Sequence, residues 1–430
     1  MSVSEFIADF YRNRLFRQHF PTAVSDLFAG TCRQLDNVKE KNVSLQSTLT
    51  LYVMISFNKP YLCGDEKRCI DQALDGGKLC GDGPFTHRCQ QFFETKFPGS
   101  KCLLTTSCTD ALEMCALLAG IGPGDEVIVP SYTFVSSALV FTRQGARVVF
   151  AESRADQPDV DAASLEKLIT PRTRAIVVMH YAGVACDMDP VMELAARRSL
   201  IVIEDAAQAV DSYYKGRPLG TIGHMAAFSF HETKNIQCGE GGLLVVNDPH
   251  YVQRAEILRE KGTNRAQFFR GEIDKYGWVD TGSSFLPNDY TAAFLWAQLN
   301  CMERIQTRRK ALWQRYYTDL QELAARREGV RLPFIPDYAT CNGHAFYLVC
   351  GSLDERTRLI AHLMVNGVQA VFHYLSLHKS AYIRDHEPDQ PDLPQADRYT
   401  DCLVRLPLYY ELPDEEADRI AALILEFYRR

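Results

Sequence analysis

Short, continuously apolar runs between residues 101 and 246 constrain the fold of this chain more than any other feature of its sequence. The runs are rich in Val, Ile and Leu, and helical intervals such as Ala111–Ala119 and Val191–Arg198 lie between them. The strands predicted from these runs are Lys101–Thr105, Glu126–Pro130, Ala146–Phe150, Arg174–Val178, Leu200–Glu204 and Leu243–Val246. Strands that are apolar on both faces are typical of a mainly parallel sheet covered by helices. The sequence therefore predicts an α/β fold.

The pattern changes near residue 300. A long charged segment, Arg304–Ala325, predicts a helix, and short strands with two more helices are predicted to follow it. We therefore predict a large domain at residues 54–300 and a smaller α+β domain at residues 301–430. Residues 1–53 are polar and aromatic without a recognisable site, and we interpret them as an N-terminal extension of unknown role. An amphipathic helical arm and an internal start at Met54 are both compatible with this extension.

Composition excludes several classes of protein. The chain has 47 Lys and Arg against 54 Asp and Glu, a formal net charge of −7, and no block of basic residues, which argues against a nucleic-acid groove. No apolar stretch approaches the ~20 residues that a membrane-spanning helix needs. The cysteines number 14 and lack the Cys/His spacing of a zinc site, so we predict reduced thiols, a cytoplasmic protein and no metal.

Ligands of an α/β fold bind outside the carboxyl ends of its parallel strands. A dinucleotide would require Gly-x-Gly-x-x-Gly directly after the first strand, and the chain has no such match, so neither a nicotinamide nor a flavin cofactor is predicted. The segment His231–Asn235 begins like the zinc-protease motif His-Glu-x-x-His, but Asn occupies the position of the second histidine. The zinc-protease motif is therefore excluded, because one of its two histidine ligands is missing.

Four polar clusters follow predicted strands. Thr106–Asp110 precedes a helix, and its hydroxyl and N–H groups can hold a phosphate. Ser131–Phe134 presents an aromatic face, Glu204–Gln208 delivers an acid, and Phe228–Asn235 contains Lys234. Taken singly, each has an ordinary structural explanation: a helix cap, a core aromatic, a second cap and a solvated lysine.

Taken together, the clusters meet the requirements of pyridoxal phosphate. That cofactor needs a lysine for its Schiff base, an acid facing the pyridine nitrogen, a face for stacking and donors for its phosphate. The lysine must also be partly desolvated, so that its amine is available near neutral pH. The sequence therefore predicts a pyridoxal-phosphate site.

Five further segments carry a resemblance to a known family. They are Gly77–Gly83, His180–Cys186, Phe230–Asn235, Glu260–Arg265 and Gln267–Gly271. From Met54 to its C-terminus, the chain resembles the sugar aminotransferases of the DegT/DnrJ/EryC1/StrS family. The resemblance implies the aspartate aminotransferase (type I) fold with a seven-stranded-type sheet, and a homodimer whose subunits share the active site. It also implies amino-group transfer from L-glutamate to a nucleotide-linked sugar, here a dTDP-4-keto-6-deoxy sugar.

The resemblance assigns a role to each matching residue. Lys234 is the catalytic lysine, which forms the Schiff base and carries the proton. Asp205 faces the pyridine nitrogen, Gln208 lies near the ring oxygen, and Phe134 takes the stacking position. The phosphate-binding positions implied are Thr109, Asp110 through its backbone N–H, and Ser229.

The resemblance also implies contacts to the substrate and across the dimer. The loop at residues 77–85 and the run at residues 372–378 are similar to family segments that line the nucleotide-sugar channel. The residues predicted to contact the substrate are His231, Lys261, Arg270, His373, Tyr374 and His378, with Lys275 as a further candidate for the diphosphate. Many relatives complete the phosphate site with an Asn from the other subunit. Leu286 occupies that position here, so Ser284 and Asn288 are its candidate substitutes.

Alternatives to this function stay open at this point. Some relatives carry His in place of the lysine and act as pyridoxamine-dependent dehydratases, and the presence of Lys234 argues against that activity. Another nucleotide-sugar 3- or 4-aminotransferase would carry the same cofactor residues. A regulatory protein that binds the cofactor without turnover would carry them as well.

Overall fold

The computed structural model describes residues 54–387 and 389–429, so the extension predicted at residues 1–53 lies outside the described residues. Strands and helices alternate from residue 101 to residue 205, and four further strands follow as far as residue 246. In chain order they are α1 (Glu66–Asp75), α2 (Pro84–Lys96), β1 (Lys101–Thr105), α3 (Cys108–Leu118), β2 (Glu126–Pro130), α4 (Ser136–Arg143), β3 (Arg147–Ala151), α5 (Ala162–Leu165), β4 (Thr173–Met179), α6 (Met188–Arg198), β5 (Ile201–Asp205), β6 (Tyr213–Tyr214), β7 (Arg217–Pro218), β8 (Met225–Ser229) and β9 (Gly242–Val246). The later elements are α7 (Val252–Arg259), α8 (Arg265–Phe269), α9 (Asp289–Asn300), α10 (Met302–Arg326), β10 (Phe346–Val349), α11 (Leu353–Val365), β11 (Val371–Phe372), α12 (Ala381–His386), α13 (Pro394–Cys402), β12 (Leu403–Leu406) and α14 (Asp414–Arg429).

One seven-stranded sheet organises the first part of the chain, in the order β1-β9-β8-β5-β4-β2-β3. β9 runs antiparallel to both of its neighbours, and the other six strands are parallel to one another. β9 is reversed because residues 230–241 connect it to the adjacent β8 without a crossover helix. The predicted α/β fold with a mainly parallel sheet is confirmed.

Side chains of this sheet alternate between two apolar cores, one on each face. Along β2, Ile128 packs in one core, whereas Val127 and Val129 pack in the other. All three side chains are fully buried. Since both faces exclude water, polar side chains are accommodated mainly where the strands end.

The helix after β1 begins earlier than the sequence predicted, at Cys108 instead of Ala111. Ser107 has an extended backbone, and its Oγ accepts a hydrogen bond from the Asp110 N–H at 3.0 Å. Ser107 is therefore the N-cap of α3. This start places the first turn of α3 directly beyond the carboxyl end of β1.

The later part of the chain contains a three-stranded antiparallel sheet in the order β10-β12-β11. Four helices follow α10 in the described ranges, whereas the sequence predicted two. Short, largely polar helices such as α12 and α13 give no clear apolar periodicity, which explains why fewer helices were predicted. Ile55, near the start of the described chain, pairs with Val368 and packs in the core of this later part. The domain division near residue 300 stays a prediction.

None of the helices within residues 54–387 and 389–429 is both long enough and apolar enough to cross a membrane.

Candidate active site

A cavity of about 680 Å³ lies at the carboxyl ends of the parallel strands. Met179, Asp205 and Ser229, the last residues of β4, β5 and β8, line it. Other lining residues, including Tyr374 and Arg405, come from the later part of the chain. Strand ends that are far apart in sequence therefore meet at one site, as expected for a parallel sheet.

Lys234 lines this cavity from the connection between β8 and β9. Its N–H donates to the His231 carbonyl at 2.9 Å, and the Cys238 N–H donates to the Phe230 carbonyl at 2.8 Å, so the connection is a set of tight turns. Burial lowers the pKa of the Lys234 amine below the ordinary lysine value, and the nearby Arg405 charge acts in the same direction. The amine is thus easier to deprotonate than that of an exposed lysine.

The carboxylate of Asp205 is fixed by two donors. Its Oδ2 accepts from Ser137 Oγ at 2.5 Å, and its Oδ1 accepts from the Ala207 N–H at 3.1 Å. Ser137 is fully buried on α4 and also contacts Thr133 Oγ1 at 2.8 Å. Asp205 itself is 4% exposed. An aligned and buried carboxylate of this kind can face a protonated ring nitrogen.

The start of α3 forms an anion cup together with the end of β8. Ser107, Thr109 and Ser229 line the cavity here, and Thr109 Oγ1 lies 2.8 Å from Ser136 Oγ. Gly242, the first residue of β9, allows a close backbone approach: a Cβ added there would lie 2.3 Å from the Ser107 carbonyl carbon. Hydroxyl groups and the positive end of a helix dipole suit a phosphate.

Asp110 differs from the other predicted phosphate ligands in position. Its N–H already donates to the capping Ser107 Oγ, and its carboxylate contacts Thr106 Oγ1. Asp110 is not among the residues that line the cavity. Its contribution in this structure is to close the first turn of α3.

Aromatic residues form one wall of the cavity. Phe134 is 55% exposed, unlike a core aromatic, and its ring centroid lies 6.2 Å from that of Tyr374. Gln208 Nε2 donates to the Tyr374 hydroxyl at 2.9 Å, and Gln208 Oε1 accepts from the Ala182 N–H at 2.7 Å. The His373 ring stacks on Tyr374 with centroids 3.5 Å apart. Gln208 therefore links the end of β5 to this wall.

The predicted substrate residues divide into two groups. His231, His373 and Tyr374 line the cavity, whereas Lys261, Arg270 and His378 do not. Arg270 pairs with Glu256 at 2.9 Å and with Glu272 at 2.6 Å. His378 is buried, and its Nδ1 lies 2.7 Å from Ser131 Oγ. Within this single chain, Arg270 and His378 are held away from the cavity by these contacts.

The candidates for the contact between subunits also lie outside the cavity. Asn288 caps α9 by accepting from the Thr291 N–H at 2.9 Å. Ser284 pairs with Glu260 in an isolated bridge, and Leu286 packs against Gly81. The single chain therefore gives Asn288 and Ser284 local structural roles.

Sequence reasoning missed several residues that the fold brings to the cavity. They are Phe57, Asn58, Ser136, Arg309, His344 and Arg405. His344 Nδ1 lies 2.9 Å from Oδ1 of Asn235, the residue that follows Lys234 in the sequence. Burial and the nearby Lys234 and Arg309 charges hold the pKa of His344 well below its usual range. No local motif marks Arg309, His344 or Arg405, because they reach the cavity only through the packing of the later part of the chain.

The fold and the cavity define a class of enzyme. The cavity contains the groups that pyridoxal phosphate requires. They are a lysine with a lowered pKa, a hydrogen-bonded acid, an exposed aromatic face and an anion cup at the start of α3. The close approach at Gly242 brings the start of β9 against the cap of α3 and so helps to shape the cup.

Comparisons with known proteins agree with that class. The model of the DegT/DnrJ/EryC1/StrS aminotransferase family matches residues 61–425. The spore coat polysaccharide biosynthesis protein SpsC of Bacillus subtilis (strain 168) is 30% identical over 386 residues, which cover 87% of this chain and 97% of SpsC. DesV of S. venezuelae, solved in complex with a ketimine intermediate, is 32% identical with a TM-score of 0.79, over 88% of this chain and 99% of DesV. The PLP-form of Spr1654 from Streptococcus pneumoniae is 26% identical with a TM-score of 0.80, over 87% of this chain and 99% of that one.

This chain therefore belongs to the DegT/DnrJ/EryC1/StrS aminotransferase family. It is a sugar aminotransferase, and its cofactor is pyridoxal 5′-phosphate.

Proposed function

We propose that this enzyme transfers the amino group of L-glutamate to C4 of dTDP-4-dehydro-6-deoxy-D-glucose, giving dTDP-4-amino-4,6-dideoxy-D-galactose and 2-oxoglutarate. The main observation in support of this reaction is that Lys234, Asp205 and the cup at the start of α3 line one cavity. The choice of sugar rests on segments such as Gly77–Gly83 and Glu260–Arg265, which resemble one subgroup of the family. The proposal includes a cytoplasmic location and a product used in a cell-surface polysaccharide such as enterobacterial common antigen.

The residues of this chain have distinct tasks in that reaction. Bound pyridoxal phosphate supplies an electron sink for the carbon that loses its proton. Lys234 takes a proton from the α-carbon of glutamate in the first half-reaction and returns a proton to C4 of the sugar in the second. Its lowered pKa leaves more of the amine unprotonated near neutral pH than in an exposed lysine. Asp205, aligned by Ser137, holds the proton on the pyridine nitrogen.

The size and lining of the cavity support an acceptor larger than an amino acid. Its volume of about 680 Å³ lies within the usual range for sites that enclose small organic ligands. Phe57, Phe134 and Phe372 contribute apolar surface to its lining, and Phe372 is 51% exposed. Such faces suit the apolar side of a sugar ring or a base.

A homodimer with shared active sites is part of the proposal, and an exposed apolar patch supports it. This dimer patch comprises Phe269, Tyr276, Trp278 and Val279, which are 68%, 51%, 83% and 55% exposed. Large exposed aromatics concentrated in one segment are typical of an interaction surface. Lys261 is close in sequence to this patch and lies outside its own cavity, so it is a candidate contact to the cavity of a second copy.

The decisive experiment follows both half-reactions of the full chain. Holoenzyme is expected to be yellow, L-glutamate is expected to bleach the visible band, and Lys234→Ala is expected to leave the band of added cofactor unchanged on addition of glutamate. The product from dTDP-4-dehydro-6-deoxy-D-glucose is then assigned by NMR, with an axial amine at C4 expected. An equatorial 4-amino product, or amination at C3, would contradict the proposed substrate and stereochemistry.

The same experiment separates the alternatives. Bleaching by glutamate without any amino sugar product would indicate a different nucleotide-sugar acceptor. A visible band that persists with glutamate and with other amino donors would favour a regulatory protein that binds the cofactor without turnover.

A further inference from the structure

Two partly exposed cysteines, Cys63 and Cys301, lie side by side at the junction of α9 and α10. Cys63 Sγ donates to the carbonyl of Ala297, in the last turn of α9, at 3.3 Å. Cys301 stands between the two helices, and its N–H donates to the Gln298 carbonyl at 3.0 Å. In a continued α-helix, the N–H of residue 301 would instead use the Ala297 carbonyl. The Cys63 thiol therefore occupies the place of that helical hydrogen bond, next to Cys301.

The two thiols also interact with each other and share a neighbouring cation. Burial raises the pKa of the Cys63 thiol to about 12, and a side-chain hydrogen bond with Cys301 acts in the same direction. Arg304, in the first turn of α10, places its Nη2 3.6 Å from Cys301 Sγ. The same nitrogen lies 3.5 Å from the Cys63 carbonyl and 3.0 Å from the Tyr61 hydroxyl. One guanidinium thus holds the two cysteine-bearing segments together.

This arrangement distinguishes the chemical roles of the two thiols. A positive charge beside a partly exposed thiol is typical of cysteines that react with oxidants, and Cys301 has that neighbour in Arg304. The raised pKa of Cys63 keeps its thiol protonated near neutral pH. Cys301 is therefore the thiol that an oxidant attacks first, and Cys63 is the thiol within reach for a second step.

Another pair of neighbouring cysteines lacks the same exposure. The Cys350 N–H donates to the Cys402 carbonyl at 2.9 Å, but both residues are buried. Burial also raises the pKa of both thiols. An oxidant dissolved in water has poor access to such a pair. Proximity and partial exposure together single out Cys63 and Cys301.

We propose that Cys63 and Cys301 form a reversible disulfide when the enzyme meets a peroxide. In the first step, the Cys301 sulfur bonds to one peroxide oxygen, the O–O bond breaks, and a sulfenic acid and one water molecule form. In the second step, the Cys63 sulfur bonds to the sulfenic sulfur, the S–O bond breaks, and the hydroxyl group leaves with the Cys63 proton as a second water molecule. The thiols lose two electrons, which reduce the peroxide. A thiol reductant reverses the reaction.

The disulfide fastens a segment that reaches the active site. Phe57 and Asn58 line the cavity, a few residues before Cys63. The Tyr61 carbonyl accepts from Gln237 Nε2 at 3.2 Å, and Gln237 belongs to the connection between β8 and β9 that carries the active-site lysine. A covalent bond at Cys63 therefore restricts the movement of residues 57–62 along the edge of the cavity.

The test treats the full-length holoenzyme with hydrogen peroxide, alkylates the remaining thiols and maps the peptides by mass spectrometry. The wild type should contain a linkage between Cys63 and Cys301, and dithiothreitol should restore both thiols. Cys63→Ser should leave a sulfenic acid at Cys301 that dimedone traps, whereas Cys301→Ser should leave Cys63 unmodified. Cys80→Ser is the matched control, because it removes an exposed cysteine and should leave the yield of the linkage unchanged.

The rate of the reaction tests the part of Arg304. Arg304→Gln should slow the formation of the linkage by roughly 3- to 10-fold, because Cys301 loses its cationic neighbour. Arg315→Gln, which removes another arginine of α10 that pairs with Asp418, should react at the wild-type rate. Equal rates in the wild type and Arg304→Gln would contradict the order of the two steps.

Hydrogen exchange measures the structural consequence. Amide hydrogens in residues 57–62 should exchange at least about fivefold more slowly in the oxidised wild type than in the reduced wild type. Cys63→Ser treated with the same peroxide should show no slowing. A wild type whose Cys301 proceeds to sulfinic acid without any linkage, a linkage that joins other cysteines, or unchanged exchange would overturn the proposal. Since these measurements need no turnover, their outcome is independent of the proposed sugar substrate.

Discussion

At the scale of single residues, the active site depends on side chains that hold other side chains. Ser137 is the clearest example, because it does not line the cavity itself and yet donates to Asp205 Oδ2 at 2.5 Å. It is a positioning residue, and its effect should be visible in cofactor binding before any turnover.

We expect Ser137→Ala to weaken pyridoxal-phosphate binding by about 5- to 10-fold, because the Asp205 carboxylate loses one of its two donors. The measurement is a fluorescence or absorbance titration of apoenzyme with the cofactor. Ser164→Ala is the matched control, since this other buried serine donates to the Asp161 carbonyl away from the cavity. Equal cofactor affinities in the wild type and Ser137→Ala would contradict the positioning role.

The protonation of Lys234 gives a second prediction at this scale. Burial lowers its pKa, and the Arg405 charge lowers it further, so the neutral amine becomes the main form at lower pH than for a free lysine. The rate of cofactor attachment to apoenzyme should therefore rise with pH and level off below the ordinary lysine pKa. Arg405→Gln removes a positive neighbour, so the midpoint of its profile should move to higher pH. An unchanged or lower midpoint in that variant would contradict the electrostatic coupling.

At the scale of elements, the anion cup requires β9 and α3 to touch through their backbones. Gly242 opens β9 and pairs with Ser229 of β8 on one side and Thr105 of β1 on the other. The cup therefore depends on a position where a side chain has no space.

We expect Gly242→Ala to lower the free energy of unfolding by about 1–3 kcal/mol, since its Cβ would overlap the Ser107 backbone. The displaced first turn of α3 should also reduce cofactor affinity at least about tenfold, a loss of ~1.4 kcal/mol of binding free energy. Denaturant titration and cofactor titration measure the two effects. Gly122→Ala is the control, because a Cβ at Gly122 meets no atom within 4 Å. Normal stability and affinity in Gly242→Ala would show that the strands adjust without cost.

The strands and helices also show how much of the fold the sequence patterns predicted. The six predicted strands of the sheet are all present with shifts of a few residues at their ends, because their apolar runs reflect burial on both faces. The number of helices after α10 was underestimated, since short polar helices such as α12 and α13 carry no strong periodicity. The start of α3 was misplaced because Ser107, rather than a later residue, provides the cap.

At the scale of the whole molecule, the dimer patch defined by Phe269, Tyr276, Trp278 and Val279 is an apolar surface that the described chain leaves exposed. Trp278 is fixed there, because its Nε1 donates to the Asp280 carbonyl at 2.7 Å. A rigid aromatic group needs little ordering on association, which favours a role as an interface anchor.

We expect Trp278→Asp to raise the dimer dissociation constant by roughly 30- to 1000-fold. The variant loses a large aromatic contact, and it also places a carboxylate in the interface. Sedimentation velocity over a concentration series measures the shift from dimer to monomer. Phe334→Asp serves as the control, because Phe334 is also exposed, at 45%, but is not part of the dimer patch. A variant that stays as dimeric as the wild type would contradict the proposed interface.

The sequence by itself determined the fold class and predicted which residues contact the cofactor. Lys234, Asp205, Gln208 and Ser229 lie at or shortly after the ends of β5 and β8, so the alignment of parallel strands brings them to one cavity. The apolar run of β5 was predicted, whereas β8 was not among the predicted strands.

Only the tertiary structure decided what else lines the cavity. Arg405 and His344 arrive from the later part of the chain, whereas the predicted contacts Lys261, Arg270 and His378 lie elsewhere in the single chain. The physical reason is that a strand pattern reports burial within a few residues, while the docking of two sheets is set by side chains hundreds of residues apart. Arg405 looks like an ordinary strand residue in the sequence, and only the fold places it in the wall of the cavity.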